Sequence, residues 1–474
     1  MFKKRNKTLR IAYVCSDVIM TSLAFFVFNI LRFVILYGYN THGLEEYLFS
    51  TKIVLEQFLV PIGLLFIYLL SGYYNNPFPR SRISEFLVTA GSAAVNALII
   101  FMTLLINDPT PRRRTEYLIV VLLFLLFLLF TYSGRLVITN FAVKRAKKSN
   151  LTNKTIIITN REINRHTIDM VLSAKSLYRN EIAGIVMLDG NQKGNESISE
   201  FPLISSETLK PFCRQEKVSQ IVLAPGEAGD KSLLRMVNEY IDLGIPIKIA
   251  PHEIDYAMAG IRTNDILGHT FIDLTAPRIS DFSKNIKRLC DVMLSILVLI
   301  ILSPFFIIIA LMIKIDSNGP VFYTQERIGR HRLPFRIIKF RTMITDAEAN
   351  GPKLSSDTDT RVTKVGRWLR KFRIDEIPQM INVIKGDMSI VGPRPEREFY
   401  IRQIVKRVPY FGLIYQVRPG ITSWAMVKFG YASNLDQMVE RTKFDMIYIN
   451  NMSLLLDLKI LLYTIKTVIS GEGK

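Results

Sequence analysis

The sequence predicts a membrane protein of mixed architecture: an N-terminal anchor of four transmembrane helices, a parallel α/β domain, and a second α/β domain that carries a re-entrant membrane helix. Three observations lead there. Four long apolar stretches fill the first third of the 474 residues, short β-branched runs alternate with helical segments after Asn153, and a further apolar run precedes a charged, turn-rich C-terminal segment. An apolar fraction of 49% and a mean hydropathy of +0.22 are too high for an ordinary soluble chain, and the length exceeds one ordinary core. The expected divisions are 1–150, 151–276 and 277–474.

The first four apolar stretches run from about Ile11 to Leu36, Leu55 to Tyr74, Ser84 to Ile106 and Glu116 to Ile138. Each is near the roughly 20 residues that a spanning helix requires. Met1 to Arg10 carries five basic residues, the second connection carries Arg80 and Arg82, and Arg135 to Lys148 is basic again, whereas the first connection holds Glu45 and Glu46. Basic connections stay inside, so both ends of the anchor are expected in the cytoplasm. Arg112, Arg113 and Arg114, in a connection this topology places outside, run against the pattern.

Lys and Arg outnumber Asp and Glu 61 to 41, a net charge of +20 that suits an anionic leaflet or phosphorylated substrates. No base-reading motif appears, which excludes nucleic acid as the expected partner. The three cysteines, Cys15, Cys213 and Cys290, lie far apart and support neither a disulfide framework nor a Cys-based metal site.

In the middle domain the runs Thr155 to Ile158, Ile185 to Leu188, Ile221 to Leu223 and Ile245 to Ile249 read as strands separated by helices, a Rossmann-like order. The first βα turn reads Thr159-Asn160-Arg161-Glu162, without the glycines that let a backbone approach a pyrophosphate. A bound dinucleotide is therefore not expected, and the domain is read as structural or regulatory.

The fifth apolar run, Leu289 to Ile315, is by hydropathy alone another span. Its flanks are basic on both sides, with Lys284, Lys287 and Arg288 before it and Lys314, Arg327 and Arg330 after it. Ser303-Pro304 lies in the middle, and a proline there removes a donor and clashes with the preceding turn. A helix over 289–315 that enters and leaves by one face is the expectation.

The C-terminal segment holds the candidate chemistry. Phe335 to Met343 alternates like a strand, placing Lys339 and Arg341 on one face, as a pyrophosphate clamp or as a solvated edge. Asp375 suits a helix N-cap, with Glu376 opening the helix, Pro378 in its first turn and Gly386 at its C-terminal cap. A carboxylate at that end stays ionised and can act as a nucleophile while its neighbour holds Mg²⁺, although an acidic pair there is also a routine cap. Pro393 and Pro395 restrict Arg394 and present its guanidinium, and Arg418-Pro419-Gly420 repeats the theme of a basic residue at a turn.

From about Lys284 to Gly473 the chain closely resembles the bacterial sugar transferase family, the polyprenyl-phosphate hexose-1-phosphate transferases, in their large form. The motifs are Ser303-Pro304, Lys339 to Met343, Asp375-Glu376-Ile377-Pro378-Gln379, Lys385 to Ser389, Val391-Gly392-Pro393-Arg394-Pro395, Arg418 to Thr422 and Asp457-Leu458. The resemblance implies a membrane-helix hinge at Ser303-Pro304, a catalytic pair Asp375 and Glu376, Mg²⁺ held by Glu376, and a UDP-sugar donor. It implies two steps, in which Asp375 attacks the β-phosphate with loss of UMP and polyprenyl phosphate then takes the phosphosugar, the first membrane step of exopolysaccharide, capsule or O-antigen synthesis. Arg394 would contact the nucleotide, Lys339 and Arg341 the phosphates, with Pro393, Pro395 and Arg418 completing the substrate-binding set. The expected setting is the bacterial inner membrane, multi-pass, with the catalytic domain on the cytoplasmic face among membrane lipids, and there is room for a homodimer. A donor with an N-acetylated or diamino sugar, and a non-catalytic scaffold of an envelope assembly complex, are the competing readings. The chain departs from the family pattern after Ile421-Thr422, where Gly followed shortly by Ala-Gln is common and this chain reads Ser423-Trp424-Ala425-Met426.

Overall fold

The computed structural model describes residues 2–38, 43–75, 82–105, 113–148, 152–159, 165–174, 179–188, 200–224, 231–250, 271–275, 279–345, 347, 351, 359–430, 432 and 434–469. The second connection at Arg80, Arg112 of the third, the turn Asn160-Arg161-Glu162 and the expected boundary at Ala276 lie outside the described residues. Two compact units form, one from Met1–Leu151 with Ser176–Tyr178 and Lys284–Ile286, the other from Thr152–Lys175, Arg179–Ser283 and Lys287–Lys474.

In the first unit the helices Phe2–Tyr37, Thr51–Leu70, Arg82–Ile100 and Arg113–Lys147 follow the four apolar stretches. Each contains a segment long and apolar enough to cross a membrane, as does Asp281–Asp316 in the rest of the chain. Apolar side chains such as Phe26, Phe58, Leu59 and Leu129 face outward, while Asp17, Glu85, Thr89 and Arg135 are buried. Lipid rewards this arrangement, since a charge can enter an apolar medium only if it is turned inward and paired. Arg135 holds Asp17 through Nε at 3.0 Å and Nη2 at 2.6 Å, Nη1 donates to Thr89 at 2.7 Å, and the guanidinium lies 3.6 Å from the Tyr73 ring centroid.

The second unit begins with a five-stranded sheet in the order β2-β1-β3-β4-β5, comprising Arg179–Met187, Thr152–Thr159, Gln220–Ala224, Ile247–Ile249 and Ile272–Asp273. Four strands are parallel, as expected, whereas β5 pairs antiparallel to β4, Lys248 opposite Asp273. Ile156, Ile157 and Ile158 are all fully buried. A strand covered on both faces shows such an unbroken apolar run instead of alternation.

The helix Asp281–Asp316 starts at Asp281 rather than Leu289, where Ser280 caps it by accepting from the Ser283 N–H. It runs unbroken through Ser303-Pro304, with Pro304 inside it. The missing Pro304 N–H leaves the Ile300 carbonyl without its helical donor, and the Ser303 hydroxyl donates to that carbonyl at 2.9 Å. The serine thus satisfies the acceptor that the proline orphans.

Both ends of this helix are fastened to the same unit. Near the start, Lys287 donates to Asp457 at 2.7 Å and to the Val391 carbonyl at 3.0 Å, and Asp291 accepts from Ser389 at 2.7 Å. Near the end, Asp316 accepts from the Val365 N–H at 2.9 Å. Between them Leu297, Ile300, Ile301, Phe305, Ile307 and Ile308 are exposed.

Candidate active site

The hairpin β6 (Phe322–Ile328) and β7 (Pro334–Phe340) supplies one wall of the site. Asn382 fixes it, accepting from the Ile338 N–H at 3.1 Å and donating to the Arg336 carbonyl at 2.8 Å, much as another strand would. Lys339, between those anchored residues and the strand end, is thereby aimed at the acidic pair, with Nζ at 2.7 Å from Glu376 Oε1.

Asp375 is not the helix N-cap that the sequence suggested. Arg373 adopts the left-handed region at φ 55, starting a 3-10 turn over Ile374–Gln379 that holds Asp375, Glu376 and Pro378, and the α-helix Met380–Lys385 follows. Gly386 ends it at φ 98, as expected. A non-glycine residue at such a φ costs on the order of 1 kcal/mol, strain held two residues before the carboxylate by the packing around it.

The second wall comes from β8 (Ser389–Val391) and β9 (Gly420–Thr422), which run parallel. A Cβ on Gly392 would lie 2.5 Å from the Arg418 carbonyl oxygen, and one on Gly420 would lie 2.1 Å from the Gly392 nitrogen, so only two glycines permit this approach. The chain then turns through Pro393-Arg394-Pro395. Arg394 donates to Glu376 Oε1 at 3.2 Å, and the two prolines line a cleft with Ile328, Phe411, Tyr415 and Pro419.

The two carboxyls are driven apart electrostatically. Burial pushes Asp375 up to about 6, opposed by the Lys339 ammonium and reinforced by the neighbouring Glu376 charge. Burial also works to raise Glu376, but Lys339 and Arg394 more than offset it and hold that carboxyl well below the usual carboxylate range. Among the described residues no hydrogen bond reaches the Asp375 carboxylate, although Asp375 is only 8% exposed. One carboxylate is tied and charged, and the other is held beside it with its lone pairs uncommitted. Sequence reasoning made Asp375 ionised through a helix terminus, whereas burial in fact raises its pKa and the local cations limit the rise.

Arg341 does not join this group. β7 ends at Phe340, so the alternation that would align Arg341 with Lys339 stops there. Its guanidinium donates to the Ser317 carbonyl at 2.6 Å and the Ile313 carbonyl at 3.3 Å, capping the end of the helix Asp281–Asp316. Arg418 donates through Nε to the Gly386 carbonyl at 2.8 Å, and burial together with Arg288 and Arg330 lowers its guanidinium pKa.

Behind Arg394 stands a layer the sequence did not reveal as one group. Glu396 pairs with Arg441, and Arg327 donates to the Pro395 carbonyl at 3.3 Å. Asp445 is fully enclosed beside Arg441, and burial pushes it up to about 7. The helical spacing of Arg441 and Asp445 was the available signal. The middle domain reaches the cleft wall too, since Asn238 donates to the Pro409 carbonyl at 2.5 Å and accepts from the Gly412 N–H.

The family model described as Bacterial sugar transferase matches residues 282–471. A UDP-glucose:undecaprenyl-phosphate glucose-1-phosphate transferase of Caulobacter vibrioides is 39% identical over 191 residues, 40% of this chain and 71% of the relative. The chain belongs to the bacterial sugar transferase family. A UDP-N-acetylgalactosamine-undecaprenyl-phosphate N-acetylgalactosaminephosphotransferase of Aeromonas hydrophila is 43% identical over 188 residues, 40% of this chain and 44% of that relative. A UDP-glucose:undecaprenyl-phosphate glucose-1-phosphate transferase of Escherichia coli is 32% identical over 251 residues, 52% of this chain and 54% of the relative. The matched region thus spans about half the length of two of these sugar transferases, and it contains Lys339, Asp375, Glu376 and Arg394.

Proposed function

We propose that this chain transfers a hexose-1-phosphate from a UDP-sugar to undecaprenyl or another polyprenyl phosphate, releasing UMP, at the cytoplasmic face of a bacterial inner membrane. The observation that carries the reading is the Asp375 carboxylate, buried and free of hydrogen bonds among the described residues, next to a Glu376 neutralised by Lys339 and Arg394. An Oδ lone pair of Asp375 attacks the β-phosphorus, and the bond from that phosphorus to the bridging oxygen breaks. UMP departs with the bridging oxygen. An oxygen of the lipid phosphate then attacks the same phosphorus and the Asp375 carboxylate leaves. Lys339 and Arg394 orient the diphosphate and offset its charge.

Among the described residues no cluster of three or more metal-ligating side chains forms. Mg²⁺ nevertheless fits, because one or two carboxylates plus substrate phosphates suffice for it, and Glu376 Oε2 takes no part in the pairs made by Oε1. Bound there, Mg²⁺ would neutralise phosphate charge in both transfers.

A re-entrant course for Asp281–Asp316 is supported by the attachment of both its ends to one folded unit and by the exposed apolar residues between them. An N-acetylated sugar donor is a second reading, favoured by the 43% identical relative named for N-acetylgalactosamine.

The test uses a UDP-sugar panel labelled in the sugar. Wild-type chain without lipid should acquire label on the peptide holding Asp375 and lose it when polyprenyl phosphate is added. Asp375→Asn, with an unchanged melting temperature, should neither be labelled nor release UMP. Normal transfer by Asp375→Asn, or UMP release only when both substrates are present, would replace the covalent route by direct displacement.

A further inference from the structure

Asn238 belongs to the middle domain, yet both polar atoms of its side chain are committed to the C-terminal domain. It lies on the helix Lys231–Tyr240 and is only 7% exposed. Nδ2 donates to the Pro409 carbonyl at 2.5 Å, and Oδ1 accepts from the Gly412 N–H. Those two backbone groups stand three residues apart, the spacing at which a turn closes on itself, so the amide is inserted between them much as a peptide group would be. The fit is close. A Cβ on Gly412 would lie 2.5 Å from Oδ1 and 3.0 Å from the Asn238 Cα. The Asn238 carbonyl accepts from Arg332 at 3.4 Å, and Arg332 adopts φ 58 in the turn of the hairpin β6–β7. One residue therefore meets both the hairpin that carries Lys339 and the segment that supplies Phe411 and Tyr415 to the cleft.

We propose that Asn238 is a positioning residue for the donor nucleotide, through which the middle domain sets the wall of the cleft that Pro393-Arg394-Pro395 also lines. Val237, Tyr240 and Ile241 share one hydrophobic core with Phe411, Ile414 and Tyr415. Apolar contact is non-directional, so this core keeps the segments close without fixing their register. The paired hydrogen bonds of Asn238 are directional and supply the register. Without them the Pro409 carbonyl and the buried Gly412 N–H lose their partners, a cost relieved when the segment shifts until they reach each other or water. Phe411 and Tyr415 move with it, and the cleft no longer matches the nucleotide. Donor binding thus depends on a residue that need not touch the donor. The second transfer, made after UMP has left, does not depend on it.

This inference rests on the transferase reading, and the experiment separates the two. UMP release by the full chain in detergent is measured against UDP-sugar and against polyprenyl phosphate for wild type, Asn238→Ala, Gly412→Ala and the double variant. Asn238→Ala removes both hydrogen bonds and should raise the KM for UDP-sugar about tenfold, with kcat and the KM for polyprenyl phosphate within about twofold of wild type. The Kd for UDP should rise in parallel. Gly412→Ala leaves the middle domain unaltered, drives a methyl against Oδ1 and should raise the same KM by a similar factor, so it carries the test if Asn238→Ala does not fold. Because both changes break one joint, the double variant should match the worse single variant rather than multiply their effects to about a hundredfold. An unchanged KM for UDP-sugar in both single variants, an equal rise for the two substrates, or multiplied effects in the double variant would overturn the inference while wild-type turnover leaves the transferase reading standing. A wild-type chain that neither releases UMP nor binds UDP overturns both.

Discussion

Lys339 Nζ lies 2.7 Å from Glu376 Oε1, and Arg394 shares the same oxygen at 3.2 Å. Two cations on one carboxylate oxygen keep Glu376 charged, and that charge helps raise its neighbour Asp375 to about 6, chiefly a consequence of burial. A pH dependence follows. Only the deprotonated Asp375 attacks, so kcat/KM should be level above about pH 7 and fall about tenfold per pH unit below 6. The pH–rate profile for UMP release in the absence of lipid checks this, and an acid limb near pH 4 would contradict it.

Lys339→Met removes the cation that opposes the rise of Asp375. The acid limb should then move to higher pH by about one unit, as expected when a neighbouring opposite charge is lost. Turnover at neutral pH should fall by at least about tenfold, since the diphosphate also loses a positive partner. Profiles of wild type and variant measured side by side decide it.

Arg341→Gln addresses the helix end rather than the chemistry. Its guanidinium bonds the Ser317 and Ile313 carbonyls, and a Cβ on Gly319 would strike Nη1, so the side chain is tightly enclosed. Losing these charge-assisted bonds should cost about 2 kcal/mol of stability. A lowered melting temperature with the KM for UDP-sugar within about twofold of wild type supports the capping role. A large KM increase at unchanged stability would return Arg341 to the phosphate.

Ser303→Ala leaves the Ile300 carbonyl without a donor in an apolar setting, at a cost of about 1–3 kcal/mol. Adding Pro304→Ala restores the backbone N–H to that carbonyl, so the double variant should recover the lost melting temperature. If the pair holds the helix re-entrant, cysteines placed at Lys287 and at Ser317 are labelled only from the cytoplasm in wild type. Labelling from opposite faces in wild type would exclude that course.

Much of the architecture was legible because it depends on local pattern. Apolar stretches of spanning length marked the four N-terminal helices, and buried β-branched runs marked β1 to β4, since lipid and a doubly covered sheet each impose a composition on the segments they enclose. Lys339, Asp375, Glu376 and Arg394 were legible from residue type at turns and strand ends, and they do converge. Arg341 was expected on one face with Lys339, but alternation specifies a face only while the strand continues, and β7 stops one residue earlier. The true start of the turn at Arg373 was hidden as well, since a left-handed arginine is held by packing rather than by propensity. Tertiary structure alone decided which carboxyl is tied and which is left without a hydrogen bond, because that depends on where Lys339 and Arg394 arrive from separate segments. The same holds for the contact of Arg394 with Met426, which arises between segments distant in the chain, where no sequence period can place it.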